Sequence, residues 1–228
     1  MKPTALQLGI RRRQIGCLCA AVALLASSPA SAHPHVWATV RSEIVFGPDH
    51  KIIGIRQAWT FDEFYTAMAI QGLDTNGDGV YSKEELAPLA KVNVESLHEF
   101  GYFTFVHFGD DNKPLPLGAP KDYWVEYQDP VSTLHFTLPL KTPLDPRPRP
   151  VAVDVYDPTF FVAFGFAKKD PVKVSGSIPA DCKVELEKPD AEAAADAKAL
   201  TEAFFSQLGP NSNFGSQFAQ TVNITCKK

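Results

Sequence analysis

From Val36 to Phe46, the apolar residues Val36, Ala38, Val40, Ile44 and Phe46 fall on one parity and Thr39, Arg41 and Glu43 on the other. Alternation of this kind predicts a half-buried β-strand. Gly47-Pro48-Asp49-His50 is a turn signal, and Ile52 to Trp59 returns, so a hairpin is expected. The spacing then becomes helical. Thr60 and Glu63 have capping-box spacing, and Phe61, Phe64, Tyr65 and Met68 repeat as one face of a helix starting near Phe61. Ser82 and Glu85 repeat the capping spacing, and Leu86, Leu89, Ala90, Leu97 and Phe100 predict a second helix, with Pro88 expected to kink it.

Beyond residue 101 the pattern is β again. Tyr102 to Phe108, Asp122 to Tyr127, Ser132 to Leu140, Val151 to Tyr156 and Phe160 to Ala167 read as strands. In Ser132 to Leu140, Leu134, Phe136 and Leu138 alternate with Thr133, His135 and Thr137. Phe160 to Ala167 is nearly all apolar and is expected to be central in its sheet. Asp110-Asp111-Asn112 turns, and Pro143 to Pro150, with four prolines, is a stiff connection. Strands at roughly 8–12-residue spacing point to a sandwich or barrel. Ala191 to Gln207 is an Ala/Glu/Lys-rich helix ending at Gly209-Pro210. The expected fold class is α+β: mainly antiparallel, sandwich-like sheets with an inserted helix–loop–helix unit and a C-terminal helix.

The first residues are an address. Arg11, Arg12 and Arg13 precede an apolar run from Ile15 to Ala26, and Ala30-Ser31-Ala32 is a cleavage signal. Residues 1–32 are therefore expected to be a signal peptide, with 33–228 as one exported domain. Within it the helix–loop–helix unit covers about 60–100, the β-rich part about 102–187 together with 33–59, and the last helix about 190–208. The apolar run is too short for a bilayer, and no later stretch approaches ~18 apolar residues. The exported product is expected in the periplasm and not to span the membrane. The chain has 22 Lys+Arg and 26 Asp+Glu; four cations and no acid lie in the leader, which leaves a net charge of −8 on the exported part. That balance argues against nucleic acid and is compatible with cations. Only Cys182 and Cys226 remain after cleavage. They begin and end the strand-like segments Lys183 to Leu186 and Thr221 to Thr225, so antiparallel pairing sets the sulfurs opposite each other as a disulfide.

The densest chemistry lies between the two helices. Asp74-Thr75-Asn76-Gly77-Asp78-Gly79-Val80-Tyr81-Ser82-Lys83-Glu84-Glu85 fits the calcium-loop pattern D-x-[DN]-x-[DN]-G-x5-E. Asp74, Asn76 and Asp78 supply side-chain oxygens, Gly79 the sharp bend, Val80 its carbonyl, Ser82 a direct or water-mediated contact and Glu85 two closing oxygens. An all-oxygen set favours a hard cation over zinc or nickel. Sensor loops of this kind work in pairs and the chain has one, so a structural staple is expected. A second set begins at the cleavage point. His33-Pro34-His35 would place a free amine and two imidazoles together, and imidazole suits zinc, nickel, copper and cobalt. His33, His35 and Trp37 share one face of an extended chain. No G-x-S-x-G, H-E-x-x-H, P-loop or Rossmann glycine pattern occurs, and no catalytic residue is assigned.

Four segments together carry a resemblance: His33-Pro34-His35-Val36-Trp37, Ala58-Trp59-Thr60-Phe61-Asp62-Glu63, Ala119-Pro120-Lys121-Asp122-Tyr123-Trp124, and Tyr156-Asp157-Pro158 with its aromatic tail. With them the chain resembles domain-of-unknown-function family 1007, often labelled the periplasmic component of an uncharacterised ABC-type transport system. Members are often encoded beside permeases of the nickel/cobalt exporter type. The resemblance implies divalent-metal handling in the periplasm with an inner-membrane permease as partner, and it supplies no catalytic residues. The expected function is a periplasmic metal-binding accessory protein with a structural calcium. Two alternatives stand beside it. One is a copper histidine-brace oxidoreductase using His33 with His98, His107 or His135. The other is a calcium-stabilised envelope module that binds another protein.

Overall fold

The computed structural model describes residues 35–111, 113–187 and 213–227. The expected leader, His33 and the expected helix over 190–208 lie outside them. The described elements run β1 (Val36–Phe46), β2 (Ile52–Phe61), α1 (Glu63–Ala69), α2 (Lys83–Leu97), β3 (Thr104–Phe108), β4 (Lys121–Gln128), β5 (Val131–Leu144), β6 (Val151–Val155), β7 (Val162–Phe166), β8 (Val172–Ser175), β9 (Cys182–Leu186) and β10 (Gln220–Cys226). The fold is a β-rich α+β fold.

Six strands form the larger sheet, in the order β4-β5-β2-β1-β7, with β8 also on β1; the smaller sheet runs β3-β6-β10-β9. β1 and β2 are the expected hairpin, closed by Gly47 N–H donating to the Lys51 carbonyl at 2.8 Å. Most pairings are antiparallel, but β7 and β8 both join β1 in parallel, one after the other along its edge. β7 is thus an edge strand, which corrects the expectation that Phe160 to Ala167 is central. Its aromatic content has another cause: Phe164 packs edge-on against Trp59 and beside Phe103, inside the core rather than within the sheet's middle.

Alternation along β1 holds as expected. Val36, Ala38, Val40, Ile44 and Phe46 are buried, while Trp37, Thr39 and Arg41 are exposed. The buried face meets two different partners. Near Ile44, Phe46, Ile52 and Ile55 it packs on Val106, Val151, Val153, Val222 and Ile224 of the smaller sheet, forming the sandwich. Near Val40, Trp59, Leu134 and Phe136 it packs on Ile70, Leu86, Ala90 and Val94 from the helical unit. Each fully buried aliphatic side chain contributes about 1.5–3 kcal/mol, and a one-residue slip would turn all of a strand's side chains outward, so the register is fixed. Between the two core regions lies a buried polar line. Ser42 Oγ donates to Gln57 Oε1 at 2.7 Å, Gln57 Nε2 to Thr104 Oγ1 at 3.2 Å, and Thr104 Oγ1 to the Tyr102 carbonyl at 3.0 Å. Every member has a partner, which is the condition for such a line to be tolerated in a core.

The helices correct the sequence reading in phase. α1 starts at Glu63, capped by Asp62, whose Oδ1 accepts Tyr65 N–H at 2.9 Å. Thr60 is not the cap; it lies within β2, next to its last residue, with its hydroxyl 2.9 Å from that of Thr133. Asp62 Oδ2 also accepts Trp37 N–H, so the cap ties α1 to β1. The inward face of α1 is consequently Thr66 and the Ile70 that follows it, with Thr66 Oγ1 3.1 Å from Ser132 Oγ. Phe64 and Met68, expected on one helical face with Phe61 and Tyr65, are exposed at 73% and 65%. α2 runs through Pro88 as one element and ends at Leu97. A 3-10 turn over His98–Phe103 follows, in which Gly101, Tyr102 and Phe103 take φ of 61°, 58° and 45°. Tyr102 and Phe103 are buried there, and their burial offsets the cost of left-handed backbone, about 1–2 kcal/mol for each non-glycine residue. Phe100, expected on the helical stripe, is half exposed as a result. β8 had no counterpart in the sequence reading.

Candidate functional site

The loop from Asp74 to Glu85 joins α1 to α2 on the surface. It is anchored at both ends by Leu73 and Tyr81, which pack against the helical core region, and Tyr81 meets Tyr127 edge-on at 4.9 Å. Gly77 and Gly79 take φ of 73° and 78°, conformations that favour glycine. Gly79 is the bend that the motif requires at its sixth position.

The side chains organise the backbone. Asp74 Oδ1 accepts Gly77 N–H at 2.8 Å and its Oδ2 accepts Gly79 N–H at 2.9 Å. Asn76 Oδ1 accepts Asp78 N–H and Asp78 Oδ1 accepts Val80 N–H, both at 2.8 Å. Asn76 Nδ2 donates to Asp78 Oδ2 at 3.0 Å. Glu85 spans the loop. Its Oε2 accepts from Ser82 Oγ at 2.7 Å and Ser82 N–H at 3.0 Å, completing the capping box of α2. Its Oε1 accepts from Thr75 N–H and Thr75 Oγ1, both at 2.9 Å. Thr75, at the loop's second position, is a partner the sequence reading missed; its hydroxyl was the available signal.

These donors hold the Glu85 carboxyl far below the usual carboxylate range, at about 2, with the Ser82 hydroxyl the largest cause and Ser82 N–H, Thr75 hydroxyl and Thr75 N–H following. A depressed folded-state value stabilises the loop fully above the unfolded value of 4.5, and the contribution is lost as pH falls towards 2. A carboxyl-detected NMR titration of Glu85 should therefore show a midpoint near 2, and Thr75→Val should raise it. A midpoint near the ordinary glutamate value would refute the spanning role.

The donor set fits a hard cation in its chemistry. Asp74, Asn76, Asp78, Ser82 and Glu85 offer side-chain oxygen and Val80 its carbonyl, and a carboxylate oxygen that accepts one N–H keeps a second lone pair. In the arrangement described, the carboxylates are turned to the loop's own N–H groups. Among the described residues, no group of three His, Cys, Asp or Glu side chains is gathered in a way that could hold a metal ion.

His35 lies at the entry to β1. Its N–H donates to the Phe161 carbonyl at 2.9 Å and its ring stacks on Phe161, centroids 4.6 Å apart. Trp37 is 56% exposed one step along the same face. The other histidines go elsewhere. His98 meets Tyr102 edge-on, His107 is 3.5 Å from Asp154, and His135 lies flat against Trp124. The motif residue Asp157 is structural: Oδ1 accepts from Thr159 N–H and Oγ1 at 2.8 Å and Oδ2 from Val162 N–H at 2.9 Å, setting the turn that carries Phe161. Cys182 and Cys226 are paired as a disulfide at the end of the β9–β10 ladder. No helix among the described residues is long and apolar enough to cross a membrane.

A family model described as "Protein of unknown function (DUF1007)" matches residues 18–226, and the chain belongs to that family. Two relatives match it. An "Uncharacterized protein" of Haemophilus influenzae is 26% identical over 198 residues, 86% of this chain and 92% of the relative. An "Uncharacterized 15.5 kDa protein in trpE 3'region" of Spirochaeta aurantia is 35% identical over 99 residues, 43% of this chain and 69% of the relative.

Proposed function

We propose that this family member is a periplasmic metal-binding accessory protein. In this reading the loop Asp74–Glu85 holds a structural calcium through Asp74, Asn76, Asp78, Val80, Ser82 and Glu85. The amine and ring of His33, with the ring of His35, capture nickel, cobalt, zinc or copper for an inner-membrane permease. The observation that carries the reading is the loop itself: an all-oxygen set, bent at Gly79 and bounded by two capped helices. Its backbone is already drawn into shape by the residues that would ligate, so a cation would meet a preformed curve rather than a coil. Disulfide use supports an oxidising compartment. For the second metal, the support is local chemistry. Pro34 has no N–H to deprotonate, so binding would use imidazole and amine nitrogens, donors that suit these metals.

The test is metal analysis of protein exported through its own leader, beside a version with one alanine inserted before His33. The expected result is one calcium in both and a transition metal retained only by the uninterrupted N-terminus. Equal transition-metal content, or none in either, would sink the N-terminal half of the reading. The exposed Phe64 and Met68 on α1 favour a second reading, an envelope module that binds another protein. Copurification of a permease from cells in the presence of chelator would decide for it.

A further inference from the structure

One face of the six-stranded sheet carries the core; the other is open, and its side chains form rows across the strands. Arg41 of β1 sits opposite Ala58 of β2, Ala58 opposite His135 of β5, and His135 opposite Trp124 of β4. The next row holds Lys173 of β8, Glu43 and Arg56. Ala58 is the short member of its row, and a hollow of about 230 Å³ opens over it, lined by Arg41, Glu43, Arg56, Lys173 and His135 among others. Three cations and one carboxylate therefore ring the hollow, a local excess of positive charge on a chain whose exported part is acidic overall.

The charges are not equally engaged. Arg56 donates to Glu43 at 2.7 Å. Burial pushes His135 below the ordinary histidine value, so the positive charge at neutral pH is that of Arg41, Arg56 and Lys173. The Arg41 side chain makes no hydrogen bond or ion pair with any described residue, its backbone alone being held in the ladder opposite Ala58. A guanidinium is a planar fork of donors that matches a carboxylate in pairs, and charge-assisted pairs of this kind are about twice as strong as neutral ones. Beside it the floor is a methyl group, and the far wall is the ring of His135, held in place by stacking on Trp124 with centroids 4.5 Å apart and planes 5° from parallel. An inorganic oxyanion would use the guanidinium and leave that apolar floor and wall uncovered; a small organic anion would use both.

We propose that this hollow binds a small di- or tricarboxylate, gripped by Arg41 with Arg56 and Lys173 and seated over Ala58. The site shares no residue with the calcium loop or the N-terminal histidines, so it stands or falls separately from the metal reading.

The test is isothermal titration calorimetry of the exported chain carrying His33→Ala and His35→Ala, which removes metal chelation as a source of signal. Succinate, tricarballylate and inorganic phosphate are the probes. The expected result is saturable one-to-one binding of a carboxylate probe, with phosphate at least about ten-fold weaker. Arg41→Gln should weaken binding about ten-fold, the equivalent of ~1.4 kcal/mol. Ala58→Leu should abolish it by filling the hollow. Glu43→Gln should strengthen it several-fold, an effect that damage to the fold would not produce. The Arg41 side chain is exposed and unbonded, so its variant should melt with the parent. Absence of saturable binding, phosphate binding as tight as the carboxylates, or full affinity in Ala58→Leu would each overturn the proposal.

Discussion

Replacing Cys182 and Cys226 together by alanine is expected to lower the unfolding free energy by about 4 kcal/mol. The two are 44 residues apart, and closing a loop of that length restricts the unfolded chain by about this amount in the chain-entropy model. For a domain of this size the loss corresponds to a fall of roughly 8–16 °C in Tm. The effect has a predicted location. Among the described residues β9 is an edge strand whose ladder bonds go only to β10, and Cys182 faces Cys226 at one end of that ladder. Every side chain of β9 is only partly buried or exposed. Hydrogen exchange in Lys183–Leu186 should accelerate first, while β6, whose Val151, Val153 and Val155 are buried, stays protected close to the global limit. Chemical denaturation of the double variant and of the reduced parent should agree. A cost under about 1 kcal/mol in both would show that the cross-link adds nothing to the fold.

This pairing was legible because it needed only parity and two ends: strand-like segments flanked by cysteines have one antiparallel arrangement that brings the sulfurs together. The buried face of β1 was legible for the same reason. What was not legible depended on partners far along the chain. Phe160 to Ala167 is apolar enough to be central, yet a sequence cannot state that its aromatics turn to Trp59 and Phe103 while its backbone sits at an edge. Phe64 and Met68 share helical spacing with Phe61 and Tyr65, but the helix phase is set by Asp62 and by the Thr66–Ser132 contact 66 residues away. The row Arg41–Ala58–His135–Trp124 is likewise invisible until the registers of three strand pairs are known. At the loop, spacing identified the residues and the bend, while the role of Thr75 as a donor to Glu85 emerged only in three dimensions.

Calcium at about a hundred-fold excess over its Kd is expected to stabilise the chain from His33 onward by about 2.7 kcal/mol, and Glu85→Ala to remove that response. For this chain length the shift is roughly 5–11 °C in Tm. The physical cause is charge. Asp74, Asp78 and Glu85 put three carboxylates on one short exposed loop, and without a cation their repulsion is offset only by the N–H and hydroxyl groups that each accepts. A calcium ion takes six to eight oxygens at flexible distances, whereas magnesium demands a tight octahedron and sheds water reluctantly, so magnesium should give the smaller shift. Glu85→Ala has a second consequence that must be read apart from the first. It deletes half of the capping box on α2, which should lower stability by the same amount with or without calcium. The diagnostic quantity is therefore the difference between calcium and chelator within each variant. Val80→Ala keeps its backbone carbonyl and should keep the full response. Asp74→Asn should weaken it, because one carboxylate is lost while one oxygen remains for the Gly77 or Gly79 N–H. A calcium shift in Glu85→Ala equal to that of the parent would remove the loop Asp74–Glu85 from the account of this protein.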